Sequence, residues 1–318
     1  MSATPDPINA AAYGGEAWSP RTAPLRDELG TLWGRCGIHD EWGPLRTVLL
    51  HQPGAELAVA DPDAAQLLAP VDPERAAGEH DALARAYRDE GVRVQYVEPA
   101  GPPTPNLMFC ADLFVLTPEG AILGRPASTV RAGEERWVAR RLADLGVPIV
   151  RSVRGQGTFE GADLMWLDPR TVLVGRGLRT NAEGVRQVTA TVGEMDIQVI
   201  AVDLPWGAMH LMGTLRIADR DLAVAWPGRL AVAAVEALRA RGYRVLSLPE
   251  APAPERTTAL NFVTLGPGRI LMAEGYPLFE RFFEKAGLAC RTTPVAELRK
   301  AAGGIGCLTG IVERAPGA

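Results

Sequence analysis

Lysine is almost absent from this sequence. Only Lys285 and Lys300 occur among the 33 basic residues, and the remainder are arginines. We interpret this imbalance as a coding bias, so most individual arginines are expected to be solvated surface charges. The formal net charge of −5 argues against nucleic acid as the main partner, because phosphate binding requires clustered basic side chains. The acidic balance is compatible with a small cationic substrate.

Long apolar runs, CxxC pairs and a secretory leader are also lacking. No stretch approaches the roughly 18 apolar residues of a membrane span. The first nine residues lack the basic and apolar regions of a signal peptide, so we expect a cytoplasmic protein with reduced thiols. The absence of CxxC disfavours a zinc ribbon or a redox dithiol. The cysteines are Cys36, Cys110, Cys290 and Cys307.

What the sequence does contain is an internal repeat. Two short β-type runs joined by a Pro, Gly or Asp turn occur four times, which is the pattern of a hairpin. A helix-like stretch and one further β-type run follow each hairpin. The hairpins begin at Asp112, Asp163, Leu215 and Asn261. The predicted helices are Glu134–Leu145, Ala182–Gly193, Leu230–Arg241 and Leu278–Ala286.

A fifth unit is predicted to join the two ends of the chain. It combines Leu308–Val312 near the C-terminus with Leu45–Leu50, a helix over Pro73–Glu90 and a strand over Val92–Val97. Five such units around an axis bury sheet faces that no single unit can cover. We therefore predict an α/β fold, a five-bladed pseudo-symmetric α/β propeller of ββαβ units. One doubly wound sheet is disfavoured, because no GxGxxG opens a helix after a strand.

This reading divides the chain into two parts. Residues 1–30 are rich in Ala, Gly, Pro and Ser without a period, and they predict a flexible N-terminal arm that ends in a short helix around Leu25–Leu32. Residues 31–318 contain no long linker, so we expect a single catalytic propeller domain there.

Polar residues recur at or just before the first strand of the units. Rotation about one axis would bring them together at one end of the propeller. Each also has a structural alternative: a free cysteine is commonly a small buried hydrophobe, a lone histidine can be a core residue, and acidic residues beside glycine can form turns. The residues are Asn106, Asp112, Glu160, Asp163, His210 and Cys307.

In this order and spacing the chain resembles the pentein superfamily of guanidine-modifying enzymes. Within it, the resemblance is to the dimethylarginine dimethylaminohydrolase and amidinotransferase group, and it runs from about Glu41 to Val312. The matching segments are Glu41-Trp42-Gly43-Pro44-Leu45-Arg46-Thr47-Val48, Phe109-Cys110-Ala111-Asp112, Arg131 with Glu134, Phe159-Glu160-Gly161-Ala162-Asp163, Val174-Gly175 with Arg179-Thr180-Asn181, His210-Leu211, and Glu297-Leu298 with Gly303-Gly304-Ile305-Gly306-Cys307-Leu308-Thr309.

The resemblance implies a role for each residue. Cys307 is the expected nucleophile and His210 the expected general acid and base, while Glu160 and Asp112 are expected to hold the substrate guanidinium. Four further residues are expected to take part in substrate binding. Asp163 is in a supporting position, Arg131 and Arg179 match positions that bind the substrate α-carboxylate, and Asn106 lies near the expected position of the substrate amine.

The resemblance implies no metal and no organic cofactor. The expected partner is a small cationic guanidino substrate, and a homo-oligomer remains open.

Three functions are considered. The first is a cysteine-dependent hydrolase that converts arginine or an Nω-methylated arginine to citrulline plus an amine or ammonia, through a covalent thiouronium. The second is an amidinotransferase that passes the amidino group from arginine to an amine. The third, a non-catalytic propeller that binds a cationic ligand, is disfavoured by the intact catalytic set. Met212 replaces an Asp of arginine deiminases, and Asn106 replaces an Asp common in the dimethylarginine enzymes.

Overall fold

Five three-stranded sheets form the body of the structure, a computed structural model that describes residues 19–59 and 61–317. In each sheet the middle strand pairs antiparallel with one neighbour and parallel with the other. The strands in those residues are Leu45–Leu50 (β1), Arg93–Tyr96 (β2), Phe114–Thr117 (β3), Gly120–Leu123 (β4), Ile149–Ser152 (β5), Leu164–Asp168 (β6), Thr171–Arg176 (β7), Gln198–Asp203 (β8), Leu215–Asp219 (β9), Leu222–Ala225 (β10), Arg244–Ser247 (β11), Val263–Gly266 (β12), Arg269–Ala273 (β13), Ala289–Thr293 (β14) and Gly310–Arg314 (β15).

A helix connects the middle strand of each sheet to its parallel neighbour, as parallel pairing requires a crossover. The five crossover helices fall within two residues of their predicted bounds at each end. Two further helices were not predicted: one lies between the fourth and fifth sheets, and a short one precedes the last strand. The helices are Leu25–Glu28 (α1), Pro73–Asp89 (α2), Glu135–Asp144 (α3), Ala182–Gly193 (α4), Val232–Ala240 (α5), Ala253–Leu260 (α6), Pro277–Lys285 (α7) and Ile305–Leu308 (α8).

The last strand closes the propeller on the first. β15 pairs antiparallel with β1, with Gly310 opposite Leu49 and Ile311 opposite Val48. The predicted five-bladed arrangement of ββαβ units is therefore confirmed. The C-terminal strand begins two residues later than predicted, because the residues before it form the helical turn α8.

The predicted N-terminal arm falls mostly outside the described residues, which exclude 1–18. Within residues 19–30 the short helix is a single turn, α1. It is shorter than the predicted Leu25–Leu32. Across 19–59 and 61–317, no helix combines the length and apolar character that crossing a bilayer demands.

Apolar faces of the crossover helices pack onto the sheets. On α7, Phe279 and Phe283 are fully buried, one turn apart on the same face. Burying an aromatic side chain of this size stabilises the fold by about 1.5–3 kcal/mol. Polar caps fix where two other helices begin: the side chain of Asp72 accepts from two backbone amides of α2, and Asn181 accepts from one amide of α4.

A short helical segment precedes the first strand of every sheet. Because the sheets are related by rotation, these segments meet around one axis, and most neighbouring ones contact each other. Each therefore delivers the residue at its end or just beside it to the same region. The segments are the 3₁₀ turns Cys110–Asp112, Gly161–Asp163 and Leu211–Gly213, and the helices α6 and α8.

Candidate active site

A buried histidine and glutamate form a short ion pair at the centre of the propeller. The Nε2 atom of His210 lies 2.6 Å from Oε2 of Glu160, and both side chains are shielded from solvent. Burial disfavours the imidazolium, but the carboxylates of Asp112, Asp163 and Glu160 outweigh it and raise the pKa of His210 to about 9. Burial acts in the same way against the Glu160 carboxylate, yet His210 and Arg179 lower its pKa to about 2. The pair is charged at neutral pH.

Asp163 connects the turn that carries Glu160 to the turn that carries His210. Its Oδ1 accepts from the backbone amide of Leu211 at 2.9 Å, and its Oδ2 accepts from the Thr180 hydroxyl at 2.6 Å. Burial raises the pKa of Asp163 to about 6. The carboxylate holds the chain next to His210.

Arg131, which the resemblance assigns to the substrate α-carboxylate, is paired with side chains of the protein itself. Its side chain is buried and makes ion pairs with Asp112 at 2.5 Å and with Glu134 at 2.8 Å. It also donates to the carbonyls of Asn106 and Phe109. Because a buried charge is stable only when paired, the arginine is committed to fixing Asp112. Sequence patterns do not reveal such pairing between residues 19 positions apart.

Asn106 also has an internal partner. Its amide donates to the Ala65 carbonyl at 2.8 Å, which ties the segment before α2 to the site. Arg179 is more open: its side chain is partly buried, and Nη1 lies 3.4 Å from both carboxylate oxygens of Glu160. Of the two predicted arginines, Arg179 is thus the one with fewer competing partners.

Cys307 lies in α8, and its partner is a residue that the sequence analysis did not list as a site residue. The Asn261 amide donates to the Cys307 Sγ at 3.1 Å, and its Oδ1 accepts from the Cys307 backbone amide at 3.0 Å. Burial and the Asp112 carboxylate raise the pKa of the Cys307 thiol, whereas the Asn261 hydrogen bond lowers it. The signal for Asn261 was its position: it starts the fourth hairpin of the repeat.

A small cavity collects these groups. It has a volume of about 40 Å³ and is named here the carboxylate cavity. Six of the eight predicted residues line it. The two others are hydrogen-bonded to the lining or next to it: Glu160 to the His210 side chain, and Asp163 to the backbone amide of Leu211. Its lining includes Asn106, Asp112, Arg131, Arg179, His210 and Cys307.

The same region contains a set of side chains that suits a cation. Single ligand atoms of Asp112, Glu160 and His210 lie within 4.8 Å of one another, a spacing that a metal ion or a planar organic cation could occupy. His210 is protonated near neutral pH by the argument above, and a protonated imidazole cannot ligate a metal. The donor set therefore fits a guanidinium, with N–H groups facing the carboxylates, better than a metal.

The chain is similar in sequence to known proteins. The family model of arginine deiminase matches residues 101–244. A dimethylarginine dimethylaminohydrolase of Streptomyces coelicolor is 29% identical over 239 residues, which cover 75% of this chain and 86% of the relative. One from Pseudomonas aeruginosa is 25% identical and covers 75% and 89%.

Solved structures extend the comparison to the fold. The Pseudomonas aeruginosa dimethylarginine dimethylaminohydrolase with citrulline has a TM-score of 0.70 at 22% identity and covers 84% of this chain and 99% of that one. An amidinotransferase of the saxitoxin pathway from Microseira wollei has a TM-score of 0.75 at 16% identity and covers 88% and 98%. The chain is thus similar in sequence to dimethylarginine dimethylaminohydrolases, and it shares its fold with a hydrolase and with a transferase.

Our first testable expectation concerns Asn261→Ala. The variant loses one hydrogen bond to the thiolate, and a hydrogen bond to a charged group contributes about 1.5–3 kcal/mol. We therefore expect kcat/KM to fall about 10- to 100-fold and the pKa of Cys307 to rise, measured by the pH dependence of alkylation with iodoacetamide. Asn261→Asp is the matched variant: its carboxylate raises that thiol pKa further. A loss of activity without any change in the alkylation profile contradicts this role.

Proposed function

We propose that this protein is a cysteine-dependent hydrolase of the guanidino group of arginine or an Nω-methylated arginine. The observation that supports this most directly is the state of Asp112. Its Oδ1 is buried, has no hydrogen-bond partner among the described residues, and lies 3.9 Å from His210 Nε2. A buried carboxylate oxygen without a donor is costly, and the N–H groups of a guanidinium supply the missing hydrogen bond.

Binding between Asp112 and Glu160 would orient the guanidinium and localise its delocalised charge. The amidino carbon is a poor electrophile, so a strong, soft nucleophile is required, and a thiolate meets that need. In the free protein the Cys307 thiol is neutral, since its pKa is raised. The positive charge of the bound guanidinium favours the thiolate, whose proton passes to solvent, so nucleophile and substrate become reactive together.

The sulfur of Cys307 then forms a bond to the amidino carbon, and a carbon–nitrogen bond breaks. The imidazolium of His210 gives its proton to the departing nitrogen, leaving a thiouronium on Cys307 and a neutral imidazole. Neutral His210 next takes a proton from water as the water oxygen bonds to the same carbon. The carbon–sulfur bond breaks, which releases a ureido product and restores the thiolate and the imidazolium, while the second proton of the water passes to the released ammonia or amine.

Product identification tests the proposal. The protein is incubated with arginine, Nω-monomethylarginine and asymmetric dimethylarginine, and the products are identified by mass spectrometry. We expect citrulline together with ammonia, methylamine or dimethylamine, according to the substrate. Absence of citrulline and of any enzyme adduct with all three contradicts the proposal.

The runner-up is an amidinotransferase, in which an amine takes the place of the water. It is favoured by the fold likeness to the amidinotransferase from Microseira wollei and by a further fold likeness to an inosamine-phosphate amidinotransferase from Streptomyces griseus. Both reactions pass through the same thiouronium. They differ in which nitrogen leaves and which nucleophile attacks, so adding acceptor amines to the incubation above separates them.

The pH dependence of kcat/KM follows from His210. The free enzyme needs the imidazolium as its acid, and the pKa of His210 is raised to about 9, so we expect kcat/KM to fall as pH rises through about 9. The same raised pKa stabilises the fold fully below the ordinary histidine pKa of about 6.5. That stability is lost as pH rises through about 9. The pH profile of kcat/KM measures the first effect, and thermal unfolding at the same pH values measures the second.

Glu160→Gln provides the check on this assignment. Removing the negative charge at 2.6 Å lowers the pKa of His210, so the alkaline limb of the profile moves to lower pH. An unchanged limb in this variant would assign the alkaline group to another residue.

We also propose that residues 31–318 act as one catalytic unit. Cys307 comes from the last segment of the chain, Asp112 from the second sheet, and His210 from the fourth, so no smaller part carries the full set. Pairing of β15 with β1 links the ends of this unit.

A further inference from the structure

A second cavity adjoins the carboxylate cavity at the Cys307 and His210 side chains. It has a volume of about 250 Å³, and we name it the Arg229 cavity. The two cavities share His210, Cys307, Met209 and Ala302 in their linings. Cys307 therefore borders two cavities, and the function proposed above uses only one of them.

The two cavities differ in the acidic residues of their linings. Asp112 lines the carboxylate cavity, with Glu160 directly behind it, whereas no acidic residue lines the Arg229 cavity in the part of the chain that the structure describes. Its polar lining consists of Thr214, Arg229, Thr257 and Asn261 beside the His210 edge. The arginines that line the first cavity are themselves paired with carboxylates, so that cavity can offer Asp112 to a cation. The described lining of the second cavity offers an anion Arg229 instead.

Arg229 is available for such a contact. Within the described residues no carboxylate lies within ion-pair distance of its guanidinium, which instead stacks over the ring of Trp226 at 4.1 Å. Stacking leaves the edge N–H groups of an arginine free to donate to a carboxylate or phosphate. The ring thus holds the guanidinium in place without consuming its donors.

The Arg229 cavity continues into a third cavity of about 300 Å³. Arg229, Thr257, Asn261 and Ala302 line both, and the third cavity adds Arg299. It too has no acidic residue in its described lining. The combined groove accommodates a molecule considerably larger than water and places a second arginine farther from Cys307.

We propose that this groove is an acceptor subsite, where an amine bearing a carboxylate or phosphate approaches the thiouronium on Cys307. The inference rests on the proposed thiouronium intermediate. It names the class of amine that would take the amidino group from that intermediate in place of water. The anionic group binds Arg229, and the neutral amine points toward the cysteine. The amine nitrogen bonds to the amidino carbon, the carbon–sulfur bond breaks, and neutral His210 takes the proton that the nitrogen loses.

The test follows the second half of the reaction separately. The enzyme is first loaded with arginine or with S-methyl-L-thiocitrulline, and adduct formation is measured by intact mass. Adduct decay is then timed with O-phosphoethanolamine and 4-aminobutyrate against the matched uncharged-tail amines ethanolamine and n-butylamine. We expect about tenfold faster decay with the anionic amines, equivalent to one charge-assisted hydrogen bond, and a product that carries the transferred group.

Arg229→Gln is expected to abolish this preference while leaving the rate of adduct formation unchanged. Arg281→Gln, at an exposed position of α7, is the matched control and should retain the preference. If adduct forms but decays at the same rate with every amine, the acceptor subsite is wrong and the hydrolase proposal stands. If Arg229→Gln instead slows adduct formation, Arg229 binds the donor. If no adduct forms at all, the covalent proposal itself fails.

Discussion

Cys307→Ala will reduce kcat by on the order of 10³-fold or more, because the variant lacks the atom that forms the covalent bond. Substrate binding should persist, since Asp112 and Glu160 are the proposed partners of the guanidinium and the hydrogen bonds given for them go to other groups than the sulfur. Removing the thiol also removes the group whose ionisation the buried carboxylate of Asp112 opposes. Calorimetric titration with arginine should therefore give an affinity close to that of the unmodified protein.

Intact mass gives the complementary readout. The unmodified protein quenched during turnover should carry the mass of the thiouronium, and Cys307→Ala should carry none. Cys290→Ala is the matched control, since that cysteine is half-buried on β14 and its thiol pKa is raised to about 11 by burial. Normal turnover by Cys307→Ala, or loss of turnover in the Cys290 variant, would contradict the assignment of the nucleophile.

The repeat made the fold accessible from sequence, because a period near fifty residues with a hairpin and a helix in each unit permits few architectures. Helix bounds followed from the glycines that end the helices, such as Gly146 and Gly242, which adopt the positive φ of a helix stop. Helix α6 was not predicted because Pro252 and Pro254 flank its first residue and its apolar periodicity is weak. The better signal for a helical segment at this place was its position in the repeat, which matches that of the short segments before the other sheets.

The site was less accessible than the fold, and for a physical reason. Repeat position identifies which residues approach the axis, so Asp112, His210 and Cys307 could be selected. It does not say how charges pair once there. Arg131 becomes buried because Asp112 and Glu134 together compensate its charge, and the Asn261 contact with Cys307 depends on the packing of α6 against α8. Both are properties of the assembled structure.

His210→Ala will have the second large effect, with kcat lowered about 10²- to 10⁴-fold, the range for loss of a general acid and base. The two halves of the reaction should respond differently. S-methyl-L-thiocitrulline expels a thiolate, which leaves without a proton, so its adduct should still form on Cys307. Hydrolysis needs the neutral imidazole to activate water, so that adduct should accumulate instead of decaying.

The variant also removes a cation from among three buried carboxylates, which destabilises the fold, so His210→Gln serves as a second variant. Glutamine can donate a hydrogen bond to Glu160 but cannot transfer a proton, and it should show the same persistent adduct. His39→Ala, at a half-buried position outside the carboxylate cavity, should turn over normally. Added imidazole should speed adduct decay in His210→Ala, since it restores a base in the space left by the ring. Adduct decay at the unmodified rate in both variants would exclude His210 as the base, and the water would then have to be activated by another group facing Cys307.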